Sequence, residues 1–242
     1  MDRSLVTIRP ESLSPYSPSS LLELRNVEFR HQSQEPLFSG VNLALRESER
    51  VALVGANGCG KTTLLKILVG LLKPSQGEVI AFGSVRKNER DFIDIRARVG
   101  LVFQESDDQL FCPTVLDDVV FGPLNLGRSP EQAREIGIRI LNQVGLPGFE
   151  DRITYRLSVG QKRLVALACV LSMEPRVLLL DEPTSGLDAS SAGRILKILR
   201  DLPQAMIVVS HENFFIESLA HKVVAMKKGK LVAGADRADL MV

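Results

Sequence analysis

The segment Gly55-Ala56-Asn57-Gly58-Cys59-Gly60-Lys61-Thr62 limits what this chain can fold into more than any other, because it fits the pattern G-x-x-x-x-G-K-[ST]. Just before it, Val51–Val54 is an apolar run short enough for a buried strand. Just after it, Leu64, Leu65, Ile67, Leu68, Leu71 and Leu72 recur at helical spacing. The glycines let the backbone bend until several N–H groups face one phosphate. The helix start adds unpaired N–H groups and the positive end of its dipole. Residues 55–62, with Thr63, are therefore candidate nucleotide contacts. Lys61 is placed to bridge the β- and γ-phosphates, and the Thr62 hydroxyl to ligate Mg²⁺. A glycine turn before a core helix is the plain alternative, and the strand-loop-helix context argues against it.

A chain of 242 residues holds one large domain, or one domain with a sub-lobe. A formal charge of +1 gives no electrostatic case for nucleic acid. No apolar run reaches the roughly 18 residues of a membrane span, so work at a membrane would require docking on a spanning partner. Cys59, Cys112 and Cys169 are odd in number and widely spaced, which predicts reduced thiols in the cytosol. Cys59 lies inside the phosphate loop, so its modification is expected to block nucleotide entry. No Cys/His metal-ligand spacing occurs.

Residues 1–20, rich in Ser and Pro, read as a loose tail before a domain over 21–242. Leu22 to His31 alternates in two registers broken at Asn26, which predicts a strand with a bulge. Residues 31–36 read as a turn into a second strand at 38–45, and Lys73-Pro74-Ser75-Gln76-Gly77 as a stop and turn. Strands are expected at 79–82 and 99–103, with a charged, solvated stretch at 85–98 between them. A mainly helical insertion is expected over about 105–160, opening a helix at Ser129-Pro130-Glu131-Gln132 with a capping box. Val177–Leu180, Met206–Val209 and Val223–Met226 read as strands buried on both faces. Strand–helix alternation after residue 160 predicts an α/β core with a largely parallel sheet.

Two further segments carry chemistry. The apolar run 177–180 ends in Asp181-Glu182, at the carboxyl edge where such sheets bind ligands. Asp181 is a candidate Mg²⁺ ligand and Glu182 a candidate general base for an attacking water. Alone, a strand followed by Asp-Glu-Pro is as often a turn. Leu157-Ser158-Val159-Gly160-Gln161 precedes an amphipathic helix, where Ser158 is a good N-cap and, on a functional reading, part of a second phosphate-binding helix start.

Gly55–Thr62, Gln104, Leu157–Gln161, Asp181-Glu182-Pro183, Ser185-Gly186-Leu187-Asp188 and His211 stand in the order and approximate spacing of the ATP-binding-cassette ATPases. Over roughly residues 21–234 the chain resembles that family. The resemblance implies a P-loop NTPase fold: a RecA-like parallel-sheet core, an antiparallel β subdomain and an inserted helical lobe. It implies that two cassettes pack head to tail around two ATP molecules. Ser158, Gly160 and Gln161 would then serve the partner's nucleotide, and Asp188 would communicate across the dimer. Gln104 would join the Mg²⁺ and the water, and His211 would contact the γ-phosphate. Two positions depart from the pattern. Val159 stands where a second glycine is usual, so binding is expected to persist with an altered rate. His31 stands where a tyrosine stacks on adenine, and is expected to stack more weakly.

Residues 104–111 and 121–127 are similar to the energy-coupling-factor subgroup, the ATPases of prokaryotic cobalt, nickel and vitamin uptake. That likeness implies a peripheral subunit on the cytoplasmic face of the membrane. A transmembrane coupling subunit would dock near Gln104–Phe111, with Glu105, Asp107 and Asp108 receiving arginine. A solute-binding membrane subunit would be an indirect partner. The short stretch after residue 233 favours a cobalt or nickel system, or biotin, over other vitamins. The rivals are a soluble cassette protein without a transporter and a non-hydrolysing regulatory subunit. Proteins of the first kind usually carry two cassettes or a long coiled coil, whereas here only about a hundred residues without a heptad run separate Thr62 from Ser158. The second has Val159 as its support, against Lys61, Asp181, Glu182 and His211.

Overall fold

The computed structural model describes residues 20–31 and 35–233. The expected tail thus lies outside the described residues up to Ser19, and Ser20 already belongs to a strand. Residues 32–34 of the expected first turn also lie outside them.

Among the described residues the strands form two sheets. β1 (Ser20–Phe29), β2 (Phe38–Arg46), β4 (Gln76–Ala81) and β5 (Ser84–Arg86) form an antiparallel sheet in the order β2-β1-β4-β5. The break expected at Asn26 is present: its φ is 48°, and the register slips between Leu24 and Val27. Asn tolerates this left-handed conformation, and Asn42 accepts its N–H at 2.9 Å.

The second sheet runs β10-β9-β3-β8-β7-β6. Here β3 (Arg50–Val54), β6 (Val99–Val102), β7 (Val177–Asp181), β8 (Ala205–Val209) and β9 (Lys222–Lys227) are parallel neighbours. β10 (Lys230–Ala233) closes one edge antiparallel. Alternate residues point to opposite faces of a strand. Accordingly Val177, Leu179, Ala205, Ile207 and Val209 join a core shared with the first sheet, while Leu178, Leu180, Met206 and Val208 join a second core on the other face. Both faces are covered, which is why these strands read as unbroken apolar runs.

The first core holds α1 (Lys61–Leu68) and α2 (Glu89–Arg98). The second holds α3 (Val115–Asn125), α4 (Pro130–Gln143), α5 (Val159–Leu171), α6 (Ala189–Asp201) and α7 (Asn213–Leu219). Ser129 and Gln132 make both bonds of the expected capping box on α4.

Three expectations need correction. The helix after the phosphate loop stops at Leu68, so Leu71 and Leu72 lie beyond it. Gly70, at φ +72°, turns the chain, and the Phe92 ring fills the space where a Cβ would sit, 2.2 Å from Cγ. Segment 85–98 is not a solvated stretch: it is β5 followed by α2, whose charges lie outside while Phe92 and Ile95 are buried. A capping box between Asn88 and Asp91 starts that helix. The strand expected at 79–82 begins earlier, at Gln76, and ends before Phe82, whose φ is 50°.

Gly70→Val should therefore combine a left-handed strain with a clash against an aromatic ring. The expected loss is about 3 kcal/mol of unfolding free energy, read as a lower urea midpoint with an unchanged slope.

Candidate functional site

A cleft of about 620 Å³ opens at the carboxyl edge of β3, β7 and β8. Its lining includes Asn57, Gly58, Gly60, Lys61, Thr62 and Thr63 from the phosphate loop and α1. Gln104 follows β6, Asp181 ends β7 with Glu182 next, and His211 follows β8. His31 enters from the end of β1. The topology thus gathers residues separated by up to 180 positions.

The phosphate loop owes its path to close packing. Gly55 takes φ +146°, and a Cβ there would lie 2.6 Å from the Met226 carbonyl of β9. Gly60 takes φ +108° at the N-cap of α1, and no side chain caps that helix start. No acidic residue lies in its first turn either. The N–H groups at this end are thus available to an anion. Lys61, 8% exposed, donates to the carbonyls of Gly55 (2.6 Å) and Ala56 (3.1 Å). An ammonium has three protons, so one remains for a phosphate. Ala56 contributes this carbonyl rather than a side chain. Cys59 also differs from expectation: its thiol packs beneath the loop against the first core and does not line the cleft. An adduct there would distort the loop instead of filling the nucleotide space.

Asp181 is 3% exposed, and burial pushes its carboxyl above the usual range. A hydrogen bond to the Thr62 side chain and the charge of Lys61 pull the other way. Its Oδ1 is buried and has no hydrogen-bond partner among the described residues. An orphaned carboxylate oxygen beside a threonine hydroxyl is the oxygen donor set that Mg²⁺ prefers, so these residues fit the ion.

Glu182 holds φ at 48°, an unfavourable conformation for a side chain of this size. Its N–H donates to Val209 at 2.9 Å, which fixes the residue against β8. Its Oε2 lies 3.0 Å from His211 Nδ1. A carboxylate can only accept, so Nδ1 carries the proton when Glu182 is ionised. Glu182 is 8% exposed, while the His211 side chain is 62% exposed. The sequence names both residues but not their contact. His31 is exposed at the cleft and stands edge-on to Phe29, with ring centroids 5.0 Å apart.

Ser158, Gly160, Gln161 and Asp188 do not line this cleft. Ser158 caps α5: its hydroxyl accepts from Gln161 N–H and its own N–H donates to Gln161 Oε1. Gly160 packs so closely on α6 that a Cβ would lie 2.9 Å from Ser191 Oγ. Asp188 caps α6, accepting from the N–H groups of Ser190 and Ser191 and from the Ser191 hydroxyl. That hydroxyl, with the two N–H groups, holds its carboxyl below the usual range. Val159 is 60% exposed.

The segment after Gln104 forms a short 3-10 turn, Ser106–Asp108. Asp107 is already paired with Lys162 of α5 at 2.7 Å. Beside it Phe111 and Phe121 stack edge to face at 4.9 Å, and with Leu124 and Leu126 they leave an exposed apolar patch. Asp118, 4% exposed, accepts the N–H groups of Phe111 and Cys112 and the Thr154 hydroxyl. Asp118 and Arg163 are not among the residues expected from the sequence. The one available signal for Arg163 was a charge on the apolar side of α5.

A strand, a glycine loop and an uncapped helix facing two strand-end carboxylates define a P-loop NTPase. Residues 38–185 match the family model described as ABC transporter. An energy-coupling factor transporter ATP-binding protein, EcfA, of Methanothermobacter thermautotrophicus is 42% identical over 217 residues, covering 88% of this chain and 70% of its own. The solved structure of cbiO1 from Clostridium perfringens, part of the ABC transporter complex cbiONQ, is 32% identical at a TM-score of 0.80, covering 88% of this chain and 87% of its own. The ATP-binding cassette MJ0796, solved as a dimer in a post-hydrolysis state with ADP and Pi, is 26% identical at a TM-score of 0.79, covering 89% of this chain and 99% of its own. The chain belongs to the ABC transporter family, as one of its ATPases.

The buried Asp181 carboxylate has a sign that can be tested. Its raised folded value means that stability falls as pH rises from the ordinary value of 3.8 through the raised one. Asp181→Asn removes that cost. Without Mg²⁺ the variant should melt above the wild type at neutral pH, with the gain fading below about pH 4. Its Mg²⁺-dependent ATP affinity should drop at least ~10-fold. Melting curves against pH and nucleotide titrations with and without Mg²⁺ check both.

Proposed function

We propose that this chain hydrolyses ATP at a seam between two cassettes to power an energy-coupling-factor importer, docked on the cytoplasmic face of a membrane through a transmembrane coupling subunit. The observation that supports this best is a division of labour. Lys61, Thr62, Gln104, Asp181, Glu182 and His211 line one cleft, while Ser158 and Gly160 of the same chain lie outside it. The signature loop is then useful only to a second cassette, and the dimeric MJ0796 supports that pairing.

In this reading the α1 N-terminus and Lys61 hold the β- and γ-phosphates. Thr62, Asp181 and Gln104 would hold Mg²⁺, which when bound neutralises phosphate charge. Glu182 takes the proton of the attacking water, and the Nδ1–H of His211 fixes the carboxylate by its hydrogen bond to Oε2. The His211 ring then faces the γ-phosphate at the exposed side of the cleft. His31 stacks on adenine, steadied by Phe29. Ser158, Gly160 and Gln161 act on the partner cassette's γ-phosphate, and Asp188 communicates across the seam. The helical lobe over about 105–160 presents the acidic turn and the apolar Phe111–Phe121 patch to the coupling subunit.

The likeness to EcfA and to a member of the cbiONQ complex supports the importer class. Cobalt or nickel is the cargo we assign on that likeness, and uptake of labelled metal by a deletion strain tests it against biotin.

Glu182→Gln should bind ATP as the wild type does and lose about 10²–10⁴-fold in turnover. Equal turnover in both proteins would remove the general-base role. No turnover in either would favour the regulatory reading. Reversing Asp107 and Asp108 to Lys should abolish co-purification with the membrane subunit. A partner that stays bound would relocate the docking surface.

A further inference from the structure

Arg163 is an unusual buried cation. It is 5% exposed on the second turn of α5, among apolar neighbours. Among the described residues no carboxylate pairs with it directly; Glu105 and Asp181 act on it only through their charge. Its Nη1 donates to the carbonyls of Phe103 (3.0 Å) and Gln104, and its Nη2 approaches the Ser185 carbonyl at 3.5 Å. A buried guanidinium bonded to main-chain oxygens is a poor source of stability, since an apolar side chain of similar size avoids its desolvation. Its planar fork does something an apolar residue cannot, which is to reach two loops at once.

Those two loops are the ones that line the cleft at Gln104 and Ser185. The same helix grips the first loop twice more, through Lys162 to Asp107 (2.7 Å) and through the Ala166 carbonyl to Gln109 Nε2 (2.9 Å). Neither of those contacts touches the second loop. Arg163 is the bridge between them.

We propose that Arg163 is a positioning residue that locks the Gln104 loop and the Ser185 loop to α5, so that a displacement of the acidic turn moves both walls of the nucleotide cleft together. This rests on the ATPase reading above for its consequence, but not for its geometry. A docked partner pushing on residues 105–109 would shift α5, and Arg163 would carry the shift to Ser185, three residues from the proposed general base. The link is held closely at the Gln104 loop and reaches the Ser185 loop by a longer contact.

Hydrogen exchange on the full chain tests the link without requiring turnover. Arg163→Met should raise exchange about tenfold or more in segments 103–110 and 182–188 together, the size expected for a lost bond to a charged group, and leave the remaining segments unchanged. Arg163→Lys, which offers a single point of contact, should keep 103–110 protected and release 182–188. Lys162→Ala should loosen only 103–110. Turnover should follow the same order, with kcat of Arg163→Met down about tenfold and KM for ATP within twofold. The proposal fails if neither segment responds, if exchange rises throughout the molecule, or if Lys162→Ala releases 182–188 equally. A wild type that hydrolyses no ATP would sink the ATPase reading instead, with the exchange pattern still deciding for or against the link.

Discussion

The structure depends on an uncapped helix start aimed along the carboxyl edge of a parallel sheet. The first turn of α1 has neither a side-chain cap nor an acidic residue, so its N–H groups are left to whatever anion arrives. Every other feature of the cleft answers to this one. The Gly55 backbone must pass within reach of β9, and Lys61 must fold back along the loop to put its charge at the same spot. The carboxylates of Asp181 and Glu182, at the end of β7, open on the same cleft. Parallel strands make this possible, because they deliver the ends of β3, β7 and β8 to one edge.

The cleft is built at a cost to folding. Among the described residues Asp181 has a buried oxygen without a partner, and Glu182 sits in a backbone conformation that side chains avoid. Asp181 ends, and Glu182 directly follows, a strand whose apolar positions are fully buried on two faces. That strand cannot shift to relieve either strain, so the local cost is held in place by a well-packed neighbourhood. The pairing of Glu182 with His211 adds a hydrogen bond at one of the strained backbone positions.

Much of this was legible in the sequence where a residue type has few physical uses. A glycine run ending in Lys-Thr, an Asn at a strand break, and Ser-Pro-x-Gln at a helix start each permit little else, and the structure holds a loop, a bulge and a capping box at those places. The misses were of two kinds. Helix α2 escaped because its charges outnumber its two buried residues, Phe92 and Ile95, so its apolar face is too narrow to stand out as a period. Gly70 escaped as a helix terminator because the leucines at 71 and 72 kept the apparent period going. The contacts of Arg163, Asp118 and His211 escaped for another reason. Each joins residues 29 to 60 positions apart or caps a loop by its main chain, and no local pattern encodes that.

The ion pair between Asp107 and Lys162 would change the arithmetic of the docking proposed above. An arginine arriving from outside finds that carboxylate already taken, so seating it swaps one pair for another and leaves the sum nearly constant. Affinity at such a spot varies little with ionic strength, since the released lysine meets the same screening as the incoming guanidinium. In the docking proposed above, Asp108 would still offer its charge, and selectivity at Asp107 would come from the apolar surface around Phe111 and Phe121, which rewards shape and is indifferent to salt. A stray basic peptide, bringing charge without a matching greasy ridge, has little to gain by displacing the resident lysine.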